Sequence, residues 1–374
     1  MGCPAPIGPA EGGAVKVVVA MSGGVDSSVA AALLLEQGHE VIGVHMKLYD
    51  GPTVTSARSC CGLDDALDAR RVADHLGIPF YVANLREAFQ KTVVDDLVHA
   101  YLAGLTPSPC IRCNGVLKFQ VLLGRALALG ASHLATGHYA RIGPGPSLLA
   151  AADPAKDQSY FLFPIRTEAL QRTLFPLGAL SKAEVRTHAA HLNLLTADKP
   201  ESQELCFIPD DDHVRFIRSA LPEVDGSGEI VDEAGVVLGR HDGYFRFTVG
   251  QRRGLGVALG VPAYVVRVEP RTQRVVVSTD PARATHQGLM ATGCNWFDRP
   301  DPSQVVHARI RHQGTLLPCR VGSGERAEVT FLEPAWAVAP GQAVVFYDGE
   351  RVLGGGWITE AVAHTPTPER EARP

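Results

Sequence analysis

Residues Lys16–Gln37 read KVVVAMSGGVDSSVAAALLLEQ. The run KVVVAM is apolar and β-branched, as expected of a buried strand, and Ser27 to Gln37 is built of good helix formers. Between them lies MSGGVDSS, Met21 to Ser28. Small residues there let backbone N–H groups approach phosphate oxygens, and the N-terminus of the helix that follows adds its positive dipole. Ser22, Ser27 and Ser28 offer hydroxyl donors. Asp26 is poorly placed to bind phosphate itself, so its expected work is to hold Mg²⁺ or to orient the loop. No Gly-Lys-Ser/Thr follows, so this is not a Walker loop, and it is not GxGxxG. The bland alternative is a glycine turn capped by Asp and Ser. The agreement of strand, loop and helix favours phosphate binding.

The same rhythm continues outward. EVIGVHM, PFYVAN and HLATGHYA read as strands, while Asp64–Leu76, Phe89–Ala103 and Asn114–Leu129 read as helices. Strands alternating with helices imply an α/β fold with a doubly wound, mostly parallel sheet, whose ligands lie beyond the carboxyl ends of the strands. After a short helix, Asp212 to Ala220, the pattern changes to short β-branched runs: YFRFTV, AYVVRVE, RVVVS, AEVTFL and AVVFYDG. These predict a small central β-rich domain and then a C-terminal β-barrel. The expected division is a flexible tail over 1–14, the nucleotide-binding domain over 15–210, the central domain over 211–285, the barrel over 286–364 and a disordered tail over 365–374.

The 374 residues carry 35 basic and 40 acidic side chains, a net charge of −5, with 45% hydrophobic residues, so a sizeable core is available and a protein basic overall is excluded. The longest purely apolar run, Val29 to Leu35, is far too short to cross a bilayer, and the N-terminus has no secretory signal pattern. No membrane role and a cytoplasmic location are expected. From Arg240 to Arg320 there are 12 Arg against five acids, a local stripe of the kind that binds a phosphate backbone. Within it, GQRRGLG sets Arg252 and Arg253 on flexible backbone, either as phosphate contacts or as a charged hairpin turn. Trp296, Trp336 and Trp357 read as core or barrel residues rather than platforms for bases, and Asp210-Asp211-Asp212 as a solvated helix start.

Eight cysteines in 374 residues are too dilute for a disulfide scaffold. Cys110 and Cys113 stand in TPSPCIRCN, which reads as a Pro-punctuated loop between two helices, and Cys206 stands in SQELCFIPD. Those settings favour reactive thiols over buried structural ones. Cys60 and Cys61 are adjacent, chelate a single metal poorly, and read as packing or incidental thiols. The loop resembles the PP-loop of the N-type ATP pyrophosphatases, which cleave ATP between its α- and β-phosphates and adenylate a carbonyl oxygen. MSGGVDSS, Met46, TPSPCIRCN, ATGHYA, KDQSYFLF, LCFIPD, TVGQRRGLG, PGQAVVFYDGE and LGGG together resemble the tRNA-specific 2-thiouridylases, from Lys16 to about Thr359.

That resemblance implies ATP-dependent replacement of O2 of the wobble uridine of tRNA by sulfur, with release of AMP and pyrophosphate. It implies ATP contacts at Ala20, Met21, Ser22, Gly23, Gly24, Val25, Asp26, Ser27, Met46 and Gly137, with ATP taken together with Mg²⁺. Cys113 matches the family's catalytic cysteine and Cys206 its persulfide carrier. tRNA contacts are implied at Ser108, Pro109, Cys110, His138, Lys156, Asp157, Gln158, Arg311, His312 and Gln342. At 312 this chain has His where the family often has Tyr. The tRNA partners would be Lys, Glu and Gln acceptors, with a cysteine desulfurase or a sulfur-relay protein as donor. Cys110 departs from the family, many members having Asp there with acid–base work. It either replaces that residue or, with Cys113 and Cys206, supplies three ligands of a 4Fe–4S cluster whose fourth iron carries hydrosulfide. The chemistry agrees with two remote thiols: adenylation makes O2 a leaving group, a persulfide is a competent nucleophile, and cleaving the resulting C–S–S link needs a second thiolate. An amide-forming synthetase with the same loop would leave TPSPCIRCN, Cys206 and the Arg stripe without a role. A non-catalytic RNA-binding or redox module is disfavoured by the intact loop.

Overall fold

The computed structural model describes residues 13–49, 63–200, 205–208 and 212–363. Cys60, Cys61, Asp210, Asp211 and both tails lie outside the described residues. The first unit has strands β1 (Lys16–Ala20), β2 (Glu40–Lys47), β3 (Phe80–Asn84), β4 (His133–Thr136), β5 (Arg141–Gly143), β6 (Ser147–Leu149) and β7 (Thr173–Leu174). Five of them form a sheet in the order β3-β2-β1-β4-β7, every neighbouring pair parallel. Val17, Val18 and Val19 are wholly buried, as they must be in a strand covered on both faces. The chain runs outward from β1 to β2 and β3, then returns to the other side of β1 as β4. The order therefore reverses at β1, where doubly wound sheets open a crevice. The loop after β1 sits in that position. It leads into α1 (Val25–Glu36), which begins two residues before the expected Ser27. Helix α2 (Leu63–Leu76) follows as expected.

Two expectations are corrected in this unit. The cysteine segment is not a loop: Pro109–Arg112 is an α-helical turn that continues as a wider π-helical stretch, Cys113–Leu122, and then as Leu123–Ala128. The prolines misled the reading, because Pro109 occupies the first helical position, where the missing N–H costs nothing and the fixed φ favours the helix. HLATGHYA is strand only to Thr136, and Gly137 turns toward the nucleotide loop. A further helix, α3 (Lys182–His191), starts with a capping box: Ser181 accepts from the Glu184 amide while Glu184 accepts from the Ser181 amide.

Helix α4 (His213–Ala220) is capped by Asp212, whose carboxylate accepts from Arg215 N–H at 2.8 Å. Strands β8 (Gly228–Val231), β9 (Val237–His241), β10 (Tyr264–Glu269) and β11 (Arg274–Ser278) form a second sheet in the order β10-β11-β8-β9. YFRFTV, expected as a strand, instead makes a 3-10 turn over Tyr244–Arg246, with Tyr244 and Phe245 buried beneath the sheet. Its apolar residues serve a turn's anchor, which composition does not distinguish from a strand.

The last six strands are β12 (Thr285–Trp296), β13 (Val306–Arg309), β14 (Leu317–Val321), β15 (Ala327–Trp336), β16 (Ala343–Asp348) and β17 (Arg351–Ala363). They run β12-β15-β14-β13-β16-β17, and β17 pairs back with β12, closing an antiparallel barrel. Closure removes the exposed edges. One pairing had no counterpart in the sequence reading: the hairpin β5–β6, from the first unit, adds to β17 through Leu149↔Arg351 and Leu148↔Val352.

Candidate active site

The nucleotide loop is tied to itself by its serines. Ser22 N–H donates to Ser27 Oγ at 3.1 Å, and the hydroxyls of Ser27 and Ser28 donate to the Gly24 carbonyl at 3.2 and 2.9 Å. Gly24 caps α1 with no side-chain partner at its N-terminal amides, which keeps that end suited to an anion. Gly23 has φ +80°, and a Cβ there would lie 2.3 Å from the Asp65 carbonyl of α2. Gly137 presses on the loop from the far side, where a Cβ would fall 2.8 Å from Ser27 N. Met21 is buried, and its carbonyl lies 3.0 Å from His45 Nδ1.

Asp26 is held from outside the loop: Tyr139 OH donates to it at 2.7 Å, and Lys182 Nζ reaches both its oxygens, at 2.7 and 2.9 Å. Lys199 Nζ donates to Gly23 O (3.1 Å), Asp65 (2.8 Å) and Asp68 (2.7 Å), fastening the loop to α2. Burial works to lower the Lys199 pKa, but the two carboxylates outweigh it and raise the pKa above its ordinary value. Neither lysine was singled out from sequence. The Ser-x-x-Glu before α3 would have placed Lys182 at a helix start, yet nothing local marks a partner 156 residues away.

Cys110 and Cys113 lie three apart on one helix, so they share a face, and both are half-buried. Cys206 sits on a short turn fixed by its neighbours: Phe207 meets Phe89 edge-to-face at 5.2 Å, and Ile208 is buried. Cys113, Cys206 and Met46 all pack against one apolar cluster of Leu48, Phe89, Val93, Leu117 and Phe207. The helix start is clamped by the barrel, with the Arg112 guanidinium 4.4 Å from the Trp357 ring centre and 3.2 Å from Asp96. Among the described residues no disulfide joins these cysteines, and no three His, Cys, Asp or Glu side chains gather as a metal-binding group. In contrast, Cys319 and Cys294 are barrel-core thiols, with burial pushing the first up to about 12 and raising the second.

Three family models match in sequence order: a tRNA methyl transferase HUP domain over residues 15–210, a tRNA methyl transferase PRC-barrel domain over 214–279 and an aminomethyltransferase beta-barrel domain over 286–358. Curated relatives match over nearly their full length. The tRNA-specific 2-thiouridylase MnmA of Geotalea uraniireducens is 52% identical over 93% of this chain and 96% of that protein. The one from Geobacter metallireducens is 51% identical over 93% and 97%. The chain belongs to the tRNA-specific 2-thiouridylase family. The methyl-transfer wording belongs to the model descriptions, whereas the full-length relatives are named for thiolation. A solved 4-thiouridine synthetase–RNA complex is 18% identical over 56% of this chain and 51% of that one, with a TM-score of 0.38, too low to carry an argument.

Viewed within the 2-thiouridylase family, the residues expected at tRNA divide into exposed and engaged groups. Arg252, Arg253 and Arg311 are exposed. Lys156, Gln158, Ser108 and Gln342 are half-buried. The Gln342 amide donates to Thr106 O at 3.0 Å, and Gln158 accepts from the Tyr139 amide at 3.0 Å. Asp157 is buried, accepting from the Ala151 and Ser159 amides at 3.1 Å each and from Arg309 at 3.0 Å. The Arg stripe is thinned by ion pairs that Arg246, Arg267, Arg274 and Arg283 make with nearby acids. His312 is half-buried, and its ring centre lies 4.3 Å from that of Phe161. His138 lies 3.3 Å from Lys118 Nζ and 2.7 Å from Thr136 Oγ1. An ammonium only donates, so Nε2 accepts from Lys118 and Nδ1 carries the proton given to Thr136. Burial, then the Lys118 charge, holds the His138 pKa well below its ordinary value. Among the described residues no helix is long and apolar enough to cross a membrane.

Proposed function

We propose that this chain carries out ATP-dependent 2-thiolation of the wobble uridine of tRNA. ATP lies on the loop from Ala20 to Ser27, against Met46 and Gly137, and the Mg²⁺ that accompanies it neutralises phosphate charge. Uridine O2 attacks the α-phosphorus and pyrophosphate leaves. The terminal sulfur of a Cys206 persulfide then attacks C2, and AMP departs with the former O2. Cys113 thiolate attacks Cys206 Sγ, which breaks the S–S bond, leaves the outer sulfur on C2 as the thiocarbonyl and forms a transient Cys113–Cys206 disulfide, reopened by a cellular dithiol. The observation that carries this reading is the common packing of Met46, Cys113 and Cys206 on one apolar cluster. That shared packing supports a site in which both thiols work near the carboxyl end of β2, where Met46 lies.

Cys110 takes the position of the family's acid–base residue, one helical turn before Cys113. A cysteine desulfurase or a relay protein loads Cys206, the substrates are the Lys, Glu and Gln acceptors, and the enzyme works in the cytoplasm. Pyrophosphate release from ATP should depend on added tRNA, and nucleoside mass spectrometry should find 2-thiouridine only with Cys113 and Cys206 intact. An amide-forming synthetase would release pyrophosphate without tRNA. Iron and sulfide analysis of anaerobically purified protein addresses the sulfur carrier. Full-rate thiolation by iron-free protein supports the persulfide, and strict dependence on iron would replace it with a cluster on Cys110, Cys113 and Cys206.

A further inference from the structure

Adenylation at O2 does not by itself choose the base. Cytosine carries the same C2 carbonyl as uracil, so attack of O2 on the α-phosphorus is open to both. The two differ along one edge: uracil presents the O4 acceptor beside the N3–H donor, cytosine the N4 donor beside an N3 acceptor. A site that admits uridine and rejects cytidine therefore needs a donor and an acceptor side by side, neither able to reverse its role.

Lys118 and His138 form such a pair. Thr136, at the end of β4, pairs with Ala20 at the end of β1, so Gly137 and His138 leave the sheet beside the nucleotide loop, where the strand order reverses. Lys118 belongs to the π-helical stretch that begins with Cys113, five positions earlier, the interval that one hydrogen bond of such a helix spans. Its Nζ lies 3.3 Å from His138 Nε2. Among the described residues no carboxylate pairs with this half-buried ammonium, which has donors to spare. An ammonium only donates. The imidazole is equally fixed: Thr136 Oγ1 lies 2.7 Å from Nδ1, and the rings of Phe119 and Phe175 flank it, each centre 6.1 Å away. With the Nδ1 proton given to Thr136, Nε2 is an acceptor, and burial together with the Lys118 charge keeps the ring neutral, so that it stays one.

We infer that Lys118 and His138 select uracil at the reacting position: Lys118 donates to O4 and His138 Nε2 accepts from N3–H, while O2 is left open to the α-phosphorus. When the base arrives, the two side chains exchange their mutual hydrogen bond for these two, and no polar group is orphaned. The flexible lysine stem allows its head to move to O4 while the ring stays in place. Cytosine would set its N4 donor against the ammonium and its N3 lone pair against that of Nε2. Both contacts would be like against like, the mismatch by which hydrogen-bonding sites discriminate most strongly. This inference rests on the adenylation of uridine proposed for the chain and names what reads the base.

The test measures tRNA-dependent pyrophosphate release at saturating ATP by the full-length protein, with tRNA carrying uridine, cytidine or 3-methyluridine at the wobble position. For the wild type, kcat/KM should fall at least about a hundredfold from uridine to cytidine, and about tenfold or more for 3-methyluridine, which lacks N3–H. Lys118→Met should lower kcat/KM for uridine at least about tenfold and leave that for cytidine within about threefold, so the preference narrows by about tenfold. Lys118→Arg, another obligate donor, should retain the preference. ATP affinity of both variants, measured by calorimetry, should stay within about threefold of wild type and so report an intact fold. Equal losses on uridine and cytidine in Lys118→Met would overturn the assignment, as would use of 3-methyluridine at the uridine rate by the wild type, a result that needs no variant. If the wild type releases no pyrophosphate with uridine-bearing tRNA, the adenylation reading falls and takes this inference with it. If it does, and its preference survives in Lys118→Met, the assignment of the base reader falls alone.

Discussion

Replacing Asp157 with Ala should destabilise the protein before it does anything to RNA binding. The carboxylate is 4% exposed and its partner Arg309 17% exposed, and the pair joins the nucleotide-binding unit to barrel strand β13. The substitution strips an acceptor from the amides of Ala151 and Ser159 and leaves the Arg309 charge buried. Arg309 Nε already has no hydrogen-bond partner, so the guanidinium has little else to turn to. Breaking a buried pair from one side costs about 3–5 kcal/mol, and each orphaned amide adds to that cost. Urea denaturation followed at the midpoint, with an unchanged slope, measures the loss. Asp157→Ala with Arg309→Met should be less destabilised than Asp157→Ala alone, because no uncompensated charge remains. If Asp157→Ala costs under about 1 kcal/mol but tRNA affinity drops more than tenfold, Asp157 is an RNA contact and not the joint between units.

Gly137→Ala should lower ATP affinity at least about tenfold without changing tRNA affinity, since its Cβ would stand 2.8 Å from Ser27 N and 2.9 Å from Asp26 C; calorimetry with each ligand checks both halves. Arg252→Ala with Arg253→Ala should flatten the plot of log tRNA affinity against log salt by about 1–2 units, leaving ATP binding intact. An unchanged slope would remove these arginines from the RNA surface. His133, His138, His241, His286 and His312 all have pKa values below the ordinary 6.5, burial being the largest cause in each. The unfolded chain therefore takes up protons that the folded chain refuses. Stability is full above about pH 6.5 and is lost as pH falls below it. A melting temperature that holds constant from pH 7.5 to 5.5, or one that drops as steeply in His138→Gln, would contradict this.

The parallel sheet, the loop at its reversal and the run of barrel strands were legible because each rests on a local pattern. KVVVAM is short, apolar and flanked by a glycine turn; AEVTFL alternates as a half-buried strand does, and AVVFYDG is a short apolar β-branched run. What escaped depends on partners far along the chain. The prolines of TPSPCIRCN signal a break, yet Pro109 at the first helical position starts a helix instead. YFRFTV has strand composition, but Tyr244 OH donates to Leu102 O at 2.8 Å, and that anchor favours a turn. At the site, the serines and glycines announced phosphate chemistry by themselves. Lys182 and Lys199 could not, because isolated lysines become meaningful only when folding brings Asp26, Asp65 and Asp68 to them.

The pairing of β5–β6 with β17 has a consequence for the newborn chain. Leu148 and Leu149 leave the ribosome roughly 200 residues before Val352 and Arg351, and at about 5–20 residues per second that is on the order of ten to forty seconds. Through that interval the hairpin presents an open edge to whatever else is in the cell. Release of a prematurely terminated chain would make the exposure permanent. A stop codon just ahead of the final strand thus leaves the β5–β6 hairpin without its partner as well as an unclosed barrel, and such fragments should be prime clients for chaperones and proteases.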